Sequence, residues 1–315
     1  MSSTVIQDLS RFGPARCESL SRAEAGRYAL DVARRGRENF HVLSRLLPRR
    51  LRTEVANIYA YCRWADDLAD EAGSRARALE LLAWWRDEVD ECFRGSPRHP
   101  VFVALRETVL RHRLPRGPFL DLLDAFEQDQ RQSRYETWDE LLDYCRRSAN
   151  PVGRLYLMIC GHRDERVLAL SDQTCTALQL VNFWQDVRRD LLDRDRVYIP
   201  RDVGGRHGLP ASGVESAVRG GDERADAACR ATLGELVDRT RPLFAAGRAL
   251  LPLVDPAVRA PIRLFSLGGE AVLAKIVRGG YSTHRTRPRL GPVAKAALLA
   301  RTWLTTDTRP PEAPH

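Results

Sequence analysis

Four acids fall within the six residues that close the segment YAYCRWADDLADE, Tyr59 to Glu71. On a helix, residues four apart lie on one stripe with Cβ atoms about 6 Å apart, so Asp66 neighbours Asp70 and Asp67 neighbours Glu71. Like charges at that spacing cost a few tenths of a kcal/mol when exposed and far more when partly buried. Arg63, three residues before Asp66 and four before Asp67, offers local relief, so the cluster alone fits a solvated acidic face equally well. A second segment, LQLVNFWQDVRRDLLDRDRVYIP, carries Asn182, Asp186 and Asp190 at successive intervals of four. Eight residues of helix drift by only about 80°, which keeps these three oxygen side chains on one stripe, and Gln179 extends it. The preceding TCTALQLVNFW is uncharged, the mark of a helix packed inside. Carboxylates there need a counter-charge, and no lysine lies nearby in sequence. Two oxygen-bearing helices facing each other across a cavity suit a hard divalent cation such as Mg²⁺, commonly shared between carboxylates and substrate phosphates.

Rival chemistries leave no trace. The glycine-rich dinucleotide and phosphate loops and the GxSxG elbow are absent. Seven cysteines form no CxxC pair and read as reduced core residues of a cytoplasmic protein, and seven dispersed histidines show no zinc spacing. The start, MSSTVIQDLSRFG, has no apolar signal core, and no run of about 18 apolar residues suggests a membrane span. The formal charge of +8 comes from arginine, since Lys275 and Lys295 are the only lysines. Arginine grips phosphate in a bidentate fork, which favours anionic partners. The arginines read as scattered among acids on solvated helices, so nucleic acid is not expected, while contact with the inner membrane surface stays open.

Apolar residues recur every three to four positions almost throughout, and Pro/Gly breaks such as SPRHP and RLPRGP punctuate them. The pattern predicts helices near 21–36, 39–46, 49–72, 75–94, 98–113, 116–132, 137–148, 151–161, 165–193, 223–249, 255–278 and 291–303. GGRHGLPASG, residues 204–213, reads as a surface loop. The expected organisation is a flexible N-terminus over 1–20, one all-α domain over 21–303, and a disordered tail over 304–315.

In these residues the chain resembles the squalene/phytoene synthase family. YAYCRWADDLADE looks like the family's first aspartate-rich motif and QLVNFWQDVRRD like its second. QDQRQSRYETWDELLDYCRRSANPVG, between them, resembles the segment ending in Tyr-Cys and Ala-x-x-Val-Gly. The resemblance implies an isoprenoid (terpenoid) synthase helical bundle around a central cavity. It further implies that Asp66, Asp70, Asn182, Asp186 and Asp190 bind Mg²⁺, the four aspartates being catalytic. Arg63 and the ENF of Glu38, Asn39 and Phe40 would approach the diphosphate, and Gln179, Gln185 and Tyr144 would sit beside the substrate. Ala149, Val152 and Gly153 would shape a hydrophobic channel, although helix packing explains small residues too. Phe40, Phe126, Tyr156, Phe183 and Trp184 are candidates to stabilise a carbocation, Phe40 foremost.

Many family members joining two prenyl diphosphates carry Arg immediately before the middle aspartate of the second motif, where this chain has Gln185. Together with ENFHVLSRLLPRRLR and NPVGRL, this resembles bacterial hydroxysqualene synthases of the hopanoid pathway. The resemblance implies one substrate, presqualene diphosphate, converted to hydroxysqualene and diphosphate without NADPH. Head-to-head condensation of two prenyl diphosphates is the alternative inside the family. A catalytically silent helical scaffold, gathering other pathway enzymes, is the alternative outside it. The oligomeric state has no signal in the sequence.

Overall fold

The computed structural model describes residues 4–35 and 46–304, and among them helices account for nearly all regular structure. Only two isolated β-bridges occur there, Phe12 with Cys17 and Arg134 with Val197. The described residues gather into two compact units, one of 1–133 with 146–163, the other of 134–145 with 164–315. The all-α expectation is met. The chain passes between the units at 133/134, 145/146 and 163/164, the middle crossing inside the helix Trp138–Ser148.

The first unit contains α1 (Thr4–Phe12), α2 (Arg22–Arg35), α3 (Arg52–Asp70), α4 (Arg75–Arg94), α5 (Pro100–His112) and α6 (Gly117–Arg131). The sequence predicts no element before residue 21. Yet α1 forms, because Val5 and Phe12 are apolar enough to be buried and Asp8 accepts a hydrogen bond from the Tyr28 hydroxyl at 2.7 Å. Helix α3 packs against α2, α4, α5 and α6. Around it lies an aromatic core in which Trp64 and Trp85 stack at 5.2 Å and His99 stands edge-on to Trp64 at 4.4 Å. The SPRHP break does structural work here. His99 Nδ1 accepts the Val101 amide hydrogen and so caps α5, while Pro100 occupies a first-turn position where no amide donor is required. Ser74 caps α4 by accepting from the Arg77 amide, and Gly95 ends it in the left-handed conformation at φ 116°.

Helix α7 (Trp138–Ser148) begins in the second unit and ends in the first, and α8 (Asn150–Ile159) then packs on α3, α5 and α6. The second unit continues with α9 (Glu165–Arg194), α10 (Arg201–Arg206), α11 (Gly213–Arg219), α12 (Glu223–Gly247), α13 (Pro256–Arg278) and α14 (Pro292–Leu304). Two short helices therefore flank the stretch read as one loop at 204–213. Asp164, Asp222 and Asp255 each accept a backbone amide at the start of α9, α12 and α13. Helix α9 packs along α12 and α13, and Trp184 Nε1 donates to Thr240 Oγ1 of α12 at 2.9 Å. Gly269 permits the close approach of α13, since a Cβ there would sit 2.5 Å from the Phe244 ring and 2.8 Å from Leu178. The predicted helix 39–46, apart from its last residue, lies outside the described residues, as do Glu38, Asn39, Phe40 and the tail 305–315.

Candidate functional site

The first aspartate-rich stripe lies on α3, in the first unit. Tyr61, Trp64, Ala65 and Leu68 turn one face of this helix into the core, and Asp67 is buried with them at 3% exposure. That position decides the local electrostatics. Arg63 Nη2 lies 2.6 Å from Asp67 Oδ1, and its Nη1 only 3.5 Å from Asp66 Oδ2. Arg63 thus spends its short contact on the buried acid, while the Asp66 side chain stands 45% exposed and Asp70 half-buried on the neighbouring stripe. The local relief foreseen for the acid cluster is real, and it falls mainly on Asp67.

The second stripe lies on α9, in the second unit. Asp186 and Asp190 are close to buried, with side chains 14% and 13% exposed, and Asn182 is exposed. Burial, and then the charge of Asp186, pushes the Asp190 carboxyl up to about 7. Arg194 approaches Asp190 at 3.7 Å and Arg189 approaches Asp186 at 3.6 Å, both too far for a strong charge-assisted hydrogen bond. The close cation is Arg287. Its Nε donates to Asp186 Oδ1 and its Nη2 donates to Asp186 Oδ2 at 3.0 Å, a bidentate grip.

Arg287 escaped the sequence reading because it sits 101 residues from its partner. The segment carrying it is tied down on both sides. His284 Nε2 lies 2.6 Å from Asp226 Oδ1, and Arg285 and Arg230 donate to the same carboxylate. These donors outweigh the cost of burial and hold the Asp226 carboxyl down at about 2. Gln185 Nε2 donates to the Pro288 carbonyl at 2.5 Å, and Lys275 Nζ donates to the Arg289 carbonyl. Gln185, singled out as a missing cation, is therefore a tether for the strand of chain that delivers Arg287.

Tyr144 is buried among Tyr135, Phe183 and Tyr198, with Phe183 and Tyr198 stacked at 3.8 Å. Trp184 is fully buried and hydrogen-bonded, which makes it core. Gln179 is half-buried on α9, and Phe126 and Tyr156 are half-buried in the first unit. Ala149 precedes α8, Val152 is 41% exposed and Gly153 half-buried, so these small residues are not sealed into a helix–helix contact.

A divalent cation fits the donors on α9. They are all oxygens, two of them carboxylates, and burial, then the charge of Asp186, pushes the Asp190 carboxyl up to about 7. Among the described residues, no group of three or more His, Cys, Asp or Glu side chains is placed so as to hold a metal ion by itself.

The model of the family described as squalene/phytoene synthase matches residues 33–293. A hydroxysqualene synthase of Zymomonas mobilis is 40% identical over 170 residues, which cover 53% of this chain and 56% of that protein. One of Rhodopseudomonas palustris is 36% identical over 68% of this chain and 70% of its own length, whereas the presqualene diphosphate synthase of the same organism is 28% identical over 83% and 91%. A phytoene synthase of Thermus thermophilus is 32% identical over 87% of this chain and 91% of its own. Among solved structures, the squalene synthase HpnC of Alicyclobacillus acidocaldarius superposes with a TM-score of 0.76 at 40% identity, covering 82% of this chain and 95% of that one. The chain thus spans a little over half the length of the Zymomonas relative and nearly all of the Alicyclobacillus one.

Proposed function

From the premise that this chain belongs to the squalene/phytoene synthase family, we propose that it ionises presqualene diphosphate and lets water capture the rearranged cation, giving hydroxysqualene and diphosphate. The observation that carries the reading is the pair Asp186 and Asp190, two nearly buried carboxylates on one stripe with the second pushed up to about 7. Such a pair is costly unless it holds a cation. In this reading Asp186, Asp190 and Asn182 are Mg²⁺ ligands, and Asp66 and Asp70 are Mg²⁺ ligands through the first family motif alone. When bound, the metal neutralises the charge that develops on the departing diphosphate. The cyclopropylcarbinyl carbon–oxygen bond breaks with its electron pair leaving on diphosphate. The cyclopropylcarbinyl cation opens, and water supplies oxygen and loses a proton, so no reductant is consumed. Ala149, Val152 and Gly153 leave room for the hydrocarbon, and Arg63 and Arg287 are the cations beside the two acid stripes. Phe40 and Asn39, outside the described residues, belong to the same proposal through the family motif alone.

The hydroxysqualene reading is favoured by the Rhodopseudomonas pair, where identity to the hydroxysqualene synthase exceeds identity to the presqualene diphosphate synthase. Head-to-head condensation is supported by the longer coverage of the Thermus phytoene synthase. Separate incubation with presqualene and farnesyl diphosphates, Mg²⁺ present and NADPH absent, distinguishes them. Hydroxysqualene from presqualene diphosphate alone is the expected product. Product from farnesyl diphosphate only, or a requirement for NADPH, overturns the assignment. Gln185→Arg is expected to slow the reaction, by replacing the tether to Pro288 with a cation. A scaffold would show no thermal stabilisation by Mg²⁺ plus diphosphate beyond a salt effect.

A further inference from the structure

Up to Glu270 the arginines are indeed scattered among acids, but beyond it the pattern ends. From Ala271 to Leu304 the chain carries seven cations, Lys275 through Arg301, and neither Asp nor Glu. The whole chain has a formal charge of +8, so this segment supplies all but one unit of the excess. Part of that charge is consumed internally, since Arg287 grips Asp186 and Arg285 lies on Asp226. Arg278, Arg289, Lys295 and Arg301 are exposed, Arg301 also being engaged by an interaction within the chain.

Some apolar residues of the same stretch are exposed as well. Helix α14 packs on α13, with Leu298 and Leu299 half-buried and Thr302 buried, but its opening residues Pro292 to Ala297 all face solvent. Val293 is 84% exposed, the most exposed of the large apolar side chains among the described residues. No helix among those residues is long and apolar enough to cross a membrane. A short helix that shows small apolar side chains and cations together, on a segment without acids, matches a surface that is apolar just beneath a negatively charged layer.

We propose that α14 and the basic segment leading into it form a docking surface for an anionic lipid bilayer. Charge complementarity chooses the occupant. A neutral partner gives no use to four exposed cations, and a soluble polyanion gives none to Val293 and the alanines around it. The surface is independent of the reaction assigned to the chain.

The test uses the full chain and vesicles of phosphatidylcholine alone or mixed equally with phosphatidylglycerol, followed by co-sedimentation. Binding to the mixed vesicles, absence of binding to the neutral ones and release by about 0.5 M salt are expected. Neutralising three cations in Arg289→Gln/Lys295→Gln/Arg301→Gln should weaken binding roughly a hundredfold. The same charge change at exposed sites of the first unit, Arg77→Gln/Arg94→Gln/Arg131→Gln, should weaken it only a few-fold. Val293→Asp should also reduce vesicle binding while leaving the thermal midpoint unchanged. Equal binding to both vesicle types, no binding to either, or equal losses in the two triple variants overturns the proposal. If soluble polyglutamate binds as tightly as the mixed vesicles and Val293→Asp has no effect, the surface is a polyanion site and the bilayer is rejected.

Discussion

On α3 the buried acid Asp67 is neutralised by Arg63, one helical turn earlier on the same helix. On α9 the near-buried Asp186 receives its close cation from Arg287, 101 residues further along the chain. The first arrangement forms wherever the helix forms. It needs only the i to i+4 spacing, and it leaves Asp66 and Asp70 on the stripe beside it. The second needs the folded second unit, with α12 holding His284 and Arg285 through Asp226 so that Arg287 arrives at Asp186. Even then Asp190 remains pushed up to about 7, beside a carboxylate already engaged. One stripe is balanced locally, whereas the other keeps a residual cost, from burial first and from the charge of Asp186 second.

Neutralising either stripe tests whether both serve one reaction. Asp66→Asn and Asp186→Asn should each lower kcat roughly a thousandfold or more with helical content unchanged, the scale on which loss of a group stabilising developing charge is felt. Circular dichroism and diphosphate release read the two quantities. A loss confined to the α9 variant would separate the stripes and remove α3 from the site.

A pair of isosteric substitutions then sharpens the contrast between local balance and residual repulsion. Asp67→Asn breaks a buried ion pair and should cost about 2 kcal/mol in urea unfolding. Asp190→Asn removes a carboxylate held against its neighbour and should cost nothing, or stabilise the metal-free protein. Losses of equal size would mean that α9 is as well compensated as α3.

Removing the distant cation has a smaller effect on stability. Arg287→Gln should lower it by about 1 kcal/mol without metal, because Asp186 loses a half-exposed partner. Calorimetric titration should show the variant binding Mn²⁺ several-fold more tightly, since the guanidinium no longer competes for Asp186 oxygens. Weaker Mn²⁺ binding would show that Arg287 supports the cation site.

The smallest effect is a slope in acid. Asp226 lies at about 2 in the folded chain against an ordinary 3.8, so the stability due to that shift is complete above 3.8 and disappears as pH falls through about 2. The stability difference between wild type and Asp226→Asn should therefore shrink between about pH 4 and pH 2. A difference independent of pH would mean that the Asp226 carboxylate does not anchor the Arg287 segment electrostatically.

Much of this was legible in the residues. Helix positions followed from the apolar period and from Pro/Gly breaks such as SPRHP and RLPRGP, because amphipathic spacing is a local property. Helix α1 was missed because its support, Val5 and Phe12 in the core and Asp8 on Tyr28, is tertiary. The burial of Asp67 was not legible for a related reason: periodicity placed two acidic stripes on α3 without saying which one faces inward. The acid-free segment after Glu270 was in plain view, but its charge is diluted when the chain is averaged as a whole.

The sequence by itself determined the helices, the two oxygen-bearing stripes and the family, since each depends on residue types at short, fixed spacings. Only the tertiary structure decided which carboxylates are buried and which cation reaches them. Burial sets the cost of a charge, and the partner that offsets it, Arg287 for Asp186, comes from a part of the chain that no local spacing connects.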